Sequence, residues 1–197
     1  MNNLAIVHRS QGRYEEAEIL YKRALTGREK RLGPEHPDTL QTMNNLAVVY
    51  DLLGRHSEAE MLYGQALVGK EKVLGPEHPD TLQTVNNLAI AYDLQGRFSD
   101  AETLFQRALA GNEKVLGLEH PDTLQTVGNL ANIYHSQGRY EEAETLHERS
   151  LAGYEAMLGP EHPDTLRIVR RLVKLFIDQG RHEQAVLVQD RYSLPSQ

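Results

Sequence analysis

No cysteine and no tryptophan occur in this chain, and only three phenylalanines do. Without thiols there is neither a disulfide framework nor a thiolate metal site. Without large aromatic plugs, a core has to be made by close contacts between alanines and leucines. Cationic side chains are outnumbered, 21 Lys and Arg against 28 Asp and Glu, for a net charge of −7. That balance lacks the basic footprint that general nucleic-acid binding needs. Apolar runs such as LAVVY, residues 46–50, fall far short of the roughly 20 residues that span a bilayer. The N-terminus lacks the basic-then-apolar pattern of a signal peptide. The expectation is a soluble, cytoplasmic protein with neither nucleic acid nor membrane as a partner.

What is present is a period. EHPDTLQT starts at 35, 77 and 119, and returns as EHPDTLRI at 161, each start 42 residues after the last. Gly12, Gly54, Gly96, Gly138 and Gly180 keep the same register, each followed by arginine. So do Leu4, Leu46, Leu88, Leu130 and Leu172, and Ala17, Ala59, Ala101, Ala143 and Ala185. A fixed period of this size indicates stacked supersecondary units. Within a unit, Leu40, Met43, Leu46, Ala47 and Tyr50 recur at helical spacing, and so do Ala59, Leu62, Tyr63, Ala66 and Leu67. The spacing predicts a helix A near residues 39–53 and a helix B near 57–74, broken at Gly54, where glycine can take the left-handed conformation. Glu58 and Glu60 at one end of helix B and Lys70 and Lys72 at the other match its macrodipole. The fold class is all-α, an array of antiparallel helix hairpins with units at 1–37, 38–79, 80–121, 122–163 and 164–197. The first unit starts inside helix A and the last is shortened before SLPSQ, as expected of a segment of a longer array.

The recurrent His-Pro-Asp-Thr invites a catalytic or metal reading. Equivalent residues of stacked hairpins lie at least roughly 8–10 Å apart, whereas zinc needs ligands within about 2.0–2.3 Å. The stretch therefore reads as a joint: glycine stops helix B, the prolines prevent its continuation, and Asp80 or Thr81 caps the next helix A. No catalytic residue, metal or cofactor is expected, because repetition places like residues apart and no nucleophile, base and orienter converge.

The hairpin NNLAVVYDLLGRHSEAEMLYGQAL, residues 44–67, resembles a tetratricopeptide repeat through Leu46, Ala47, Tyr50, Gly54, Ala59, Tyr63 and Ala66. The 42-residue form is similar to kinesin light chain cargo-binding repeats and to arrays ending STAND-type NTPases of the NB-ARC or NACHT kind. The resemblance implies a right-handed superhelical solenoid with helix A on its concave side. It also implies a non-enzymatic module that binds an extended peptide there. As the alternative, it implies a sensing or self-assembly segment of a larger STAND-type protein. No G-x-x-x-x-G-K-[ST] pattern is present in this chain.

On helix A a second stripe carries Gln41, Asn44, Asn45, Val48 and Leu52, then Gln83, Asn86, Asn87, Ile90 and Leu94. Asparagine is a mediocre helix former, so propensity does not explain the tandem pairs. An amide that both donates and accepts suits a peptide backbone, and kinesin light chains are similar in using an asparagine ladder. By register the ladder is Asn3, Asn45, Asn87 and Asn129, flanked by Asn44, Asn86, Val48 and Ile90. The alternative is that the amides only bond neighbouring repeats. Arg167, Arg170, Arg171 and Lys174 put four cations on one face of the last helix A. They form either a basic end suited to acidic peptides or a solvated polar cap. Open ends of such an array expose apolar surface and predict self-association.

Overall fold

In a computed structural model, described here for residues 2–193, the helical periodicity resolves into ten helices with no strand among the described residues. They are α1 (Asn2–Ser10), α2 (Tyr14–Leu32), α3 (Pro37–Leu52), α4 (His56–Leu74), α5 (Pro79–Leu94) and α6 (Phe98–Val115). They continue as α7 (Pro121–Ser136), α8 (Tyr140–Leu158), α9 (Pro163–Asp178) and α10 (His182–Arg191). Met1 and the 194–197 part of the SLPSQ stretch lie outside the described residues. The chain falls into two compact units, Met1–Gly111 and Asn112–Gln197. In the first, α1 packs on α2, α2 on α3, α3 on α4 and α4 on α5. In the second, α7 packs on α8, α8 on α9 and α9 on α10.

Each joint is built by its own residues. Gly54 (φ 74°) and Gly75 (φ 96°) sit in the left-handed region that side chains with a Cβ avoid. Helix A opens on proline, whose missing N–H is no loss at a first-turn position. The expected Asp or Thr cap is corrected: the histidine is the cap. Nδ1 of His36, His78, His120 and His162 accepts the backbone N–H two residues on, at 3.2 Å in each case. Because helix A starts earlier, at Pro37 rather than near 39, Asp38 lies inside its first turn and the histidine falls at the N-cap. Thr39, Thr123 and Thr165 instead donate to the carbonyls of Gly33, Gly117 and Gly159 at 2.8–2.9 Å, fastening the helix start to the helix-ending glycine.

The expected core without large aromatic plugs is corrected: alanine and leucine share it with the buried rings of Tyr21, Tyr63 and Phe105. Ala17, Ala47, Ala59, Leu46, Leu88 and Ala108 are all buried in one cluster of the first unit. Ala59 and Ala101 are fully buried, so Ala101→Leu should overpack its contact and cost about 1–3 kcal/mol. A thermal or urea melt of that variant checks it, and an unchanged midpoint would refute the packing.

Glycines inside helix B serve a purpose that sequence reading overlooked. A Cβ on Gly69 would fall 2.5 Å from Leu40 Cδ2, one on Gly111 the same distance from Leu82, and one on Gly153 2.5 Å from Leu124. The missing side chain is a socket for the helix A leucine of the same hairpin. Gly27, in the same register, meets nothing within 4 Å. Gly27→Ala should therefore stabilise by up to about 1 kcal/mol through helix propensity, whereas Gly111→Ala should lower the melting midpoint.

Candidate functional site

The Gly-Arg pair that follows every helix A orders the stack. Arg55 Nη1 donates to Glu18 at 2.9 Å, its guanidinium lies 4.2 Å from the Tyr50 ring centroid, and it also pairs with Glu58. Arg97 repeats the arrangement with Glu60 at 3.0 Å, Asp100 at 2.8 Å and the Tyr92 ring at 3.9 Å. In the second unit Arg181 bonds Glu144 and lies 4.4 Å from the Phe176 ring. Each arginine thus ties its own helix A ring to the preceding helix B. Burial pushes the Glu60 carboxyl up, but hydrogen bonds from Gln95 and Arg97 outweigh it and hold the group below its ordinary range. The signal was present in the sequence, a glutamate 37 residues before each of these arginines.

With the stack fixed this way, the two members of each asparagine pair separate. Asn44 is 2 % exposed and Asn86 8 %, while Asn45 and Asn87 stay half-buried on the helix A face. Asn87 Nδ2 donates to Asn44 Oδ1 at 3.3 Å, joining α5 to α3. Asn45 accepts from Gln41 at 3.3 Å within its own helix. Asn44 is therefore placed in the interior between helices, not on a binding surface. Consecutive helical residues point about 100° apart, so only one of two neighbours can face outward. Asn3 is exposed on α1. Val48 and Ile90 are half-buried beside the ladder, and Leu52 and Leu94 lie about half exposed one turn further on.

Lys70, placed by the sequence at the closing end of helix B to match its macrodipole, is 1 % exposed. Its Nζ donates to Gln41 Oε1 at 2.7 Å, and at 3.0 Å to both the Asp80 carbonyl and Thr84 Oγ1. Burial pushes its pKa down to about 8, with Asp80 opposing. Three acceptors around one ammonium hold it as a brace between α3 and α5. Arg28 reaches the Asp38 carbonyl at 2.8 Å and Thr42 at 2.5 Å in the equivalent place, and in the second unit Asn112 reaches Thr126 at 3.2 Å.

In that second unit the ladder changes. Gly128 stands where the other pairs carry asparagine, and Arg171 Nη1 approaches its carbonyl at 3.5 Å. Asn129 is half-buried, and its Nδ2 has no partner. The expected row of four cations is partly neutralised within α9. Arg167 pairs with Asp164 at 3.2 Å, and Lys174 with Asp178 at 2.6 Å. Lys174 first, then His135, holds the Asp178 carboxyl below its ordinary range. Arg170 is exposed and Arg171 half-buried.

No group of three or more His, Asp or Glu side chains is placed to hold a metal ion among the described residues. None of the described helices is long and apolar enough to cross a membrane.

Profiles of the tetratricopeptide repeat match residues 1–71, 60–114, 100–156 and 122–192. The chain belongs to the tetratricopeptide repeat family, whose members are generally non-enzymatic interaction scaffolds. No curated protein matches it. Among solved structures it is similar to a protein of Podosopora anserina, assigned as a kinesin light chain with nearly identical TPR-like repeats. That pair shares 30% identity over 98% of this chain and 91% of the other, at a TM-score of 0.82. It is also similar to BtubC (BKLC) from P. vanneervenii, with 26% identity over 96% of this chain and 76% of that one, at a TM-score of 0.82. A Rap protein solved in complex with competence and sporulation factor shares the fold at 18% identity, covering 97% of this chain and 51% of that one, at a TM-score of 0.83. The repeats and these neighbours make the chain a protein–protein interaction module.

Proposed function

We propose that the helix A faces bind an extended peptide segment, with a preference for acidic sequences at α9, in a protein that works in the cytoplasm. The observation that carries this reading is the division of labour within each asparagine pair. Asn44 and Asn86 face inward, while Asn45 and Asn87 keep amides on a surface bordered by Val48, Ile90, Leu52 and Leu94. Packing accounts for the inward amides and for Asn87 Nδ2, which bonds Asn44, and leaves Asn45, bonded within its own helix, as the amide for a ligand backbone, which needs both donors and acceptors. The second unit carries similar chemistry of its own, with Asn129 and Arg171 half-buried and Arg170 exposed. The solenoid fold is shared with the Rap protein solved in complex with competence and sporulation factor.

The test separates the brace from the grip. Asn87→Ala leaves the buried Asn44 oxygen without its donor, so it should destabilise the free protein by about 1–3 kcal/mol. Asn45→Ala should leave melting nearly unchanged, yet weaken many peptides by roughly 0.5–1.5 kcal/mol each. Arg170→Glu should weaken acidic peptides selectively and reduce the salt sensitivity of what remains. Peptide-array binding at two salt concentrations, with melts of the same variants, reads all three outcomes. If Asn45→Ala and Arg170→Glu bind like the parent, the peptide reading fails.

Self-association is a second contact this reading allows. Leu4 and Val7 on α1, and Val186 and Leu187 on α10, are roughly half exposed or more. Concentration-dependent sedimentation that Leu187→Glu suppresses is the expected result.

A further inference from the structure

Lys70 shows what the space between two successive helices A can hold. Its buried ammonium sits against Gln41 Oε1, the Asp80 carbonyl and Thr84 Oγ1, between α3 and α5. Two repeats on, within the second unit, Gln125 takes the register of Gln41, and Asp164 that of Asp80. The register of Lys70 itself falls to Tyr154, and that of Thr84 to Ile168. Both of these are buried. The acceptors of the Lys70 arrangement are thus repeated without the lysine. Beside Tyr154 lies a cavity of about 330 Å³, whose lining includes Asp122, Gln125, Met157, Asp164 and Arg167.

The charges of the lining favour a cation. Arg167 is paired with Asp164 at 3.2 Å, so these two offset each other. His162 lines the cavity as well, but its Nδ1 accepts the Asp164 N–H, and the ring brings no positive charge while it does so. His120, 3.8 Å from the Asp122 carboxylate, accepts the Asp122 N–H in the same way. The exposed Asp122 carboxylate is therefore left as the net charge of the site, next to the exposed Gln125 amide. The rest of the lining suits a hydrocarbon stem. Tyr154 is buried below, and Met157 and Leu158 leave apolar surface in solvent. A lysine stem lies along such surface while its head keeps polar partners.

We propose that the cavity between the starts of α7 and α9 receives a lysine side chain of a partner protein. Its stem rests on Tyr154, Met157 and Leu158, and its ammonium meets Gln125 and Asp122. The visiting lysine supplies from outside what Lys70 supplies from within.

The probe is the blocked peptide acetyl-GSKSG-amide, titrated to millimolar concentration into the full-length isotope-labelled chain. The expected result is a set of saturable shifts at Asp122, Gln125, Tyr154 and Met157. The peptide with norleucine for lysine keeps the stem and loses the charge. It should bind at least about tenfold more weakly, as loss of hydrogen bonds from a charged donor implies. Asp122→Asn should weaken the lysine peptide by about two- to fivefold, the reach of an exposed ion pair. Tyr154→Lys with Ile168→Thr rebuilds the Lys70 arrangement inside the chain and should abolish the shifts. Met157→Lys, from an exposed position, places a competing ammonium at the cavity without touching the interior and should do the same. Asn45→Ala should change nothing, which keeps this site distinct from the asparagine face. The proposal is overturned if the norleucine peptide binds as well as the lysine peptide, or if a glutamate peptide binds better. It is also overturned if the lysine peptide moves none of these signals, or if Asp122→Asn and Met157→Lys both leave its binding intact. Shifts that appear on concentrating the chain alone, with none added by the peptide, would make the cavity an interface between copies and overturn it too.

Discussion

His147→Phe should raise the stability of the protein at neutral pH and remove much of its loss on acidification. The imidazole is 0 % exposed, and neither ring nitrogen has a hydrogen-bond partner. In the same register Tyr21, Tyr63 and Phe105 are buried aromatic rings, so the site is shaped for one. Burial first, and then the nearby charges of Arg171 on α9 and His135 on α7, push the His147 pKa down to about 3. A base with a depressed folded pKa stays neutral in the fold but takes a proton when unfolded. Its stabilising neutrality is therefore fully present above the unfolded pKa of about 6.5. Stability then falls by about 1.4 kcal/mol per pH unit from about 6.5 toward 3. At pH 4.5 this one residue should cost about 2–3 kcal/mol relative to pH 7. The phenylalanine variant should lack that loss and gain about 1–3 kcal/mol at pH 7 from removing unpaired buried polar atoms. His135 is paired with Asp178 at 2.8 Å. Urea melts of both proteins at pH 7 and pH 4.5 check the difference. Equal pH dependence in the two would show that the ring is solvated in solution.

Leu82→Ala should be the most damaging single truncation of a joint. Leu82 is 1 % exposed, and Gly111 has given up its own side chain to receive it. Removing the isobutyl group leaves a hole that neither helix can fill, because the glycine offers no Cβ to close it. The cost should be about 2–5 kcal/mol, the range for buried leucines whose surroundings cannot collapse. Leu166, in the same register of α9, is only half-buried, and Leu166→Ala should cost far less. Thermal denaturation of the two variants side by side gives the comparison. Similar losses would mean that the leucine–glycine socket contributes nothing beyond ordinary burial.

Much of this architecture is legible without coordinates, and particular residues show where legibility stops. The 42-residue register, the helical spacing of Leu40, Met43, Leu46, Ala47 and Tyr50, and the turn glycines suffice for ten helices in hairpins. Those signals are local: periodicity, left-handed glycine and proline restriction act within a few residues of chain. Side-chain partners are not local. Arg55 meets Glu18 and Asn87 meets Asn44 across 37 and 43 residues. Only the packing of successive helices decides that Asn44 faces inward while Asn45, one residue on, faces out. Lys70 reads only as a helix-end charge matched to the macrodipole until α5 brings the Asp80 carbonyl and Thr84 to its ammonium. His36 reads as part of a joint, but that it and not the aspartate or threonine caps helix A is decided only where the helix start places Asp38 N–H against its ring. The sequence by itself determined the repeating hairpin and where each one turns, because short-range sterics and hydrophobic spacing dictate both. Tertiary structure alone decided which polar side chains became mortar and which stayed on the surface, because a hydrogen bond needs its partner within about 3 Å and only the stacked neighbour supplies it.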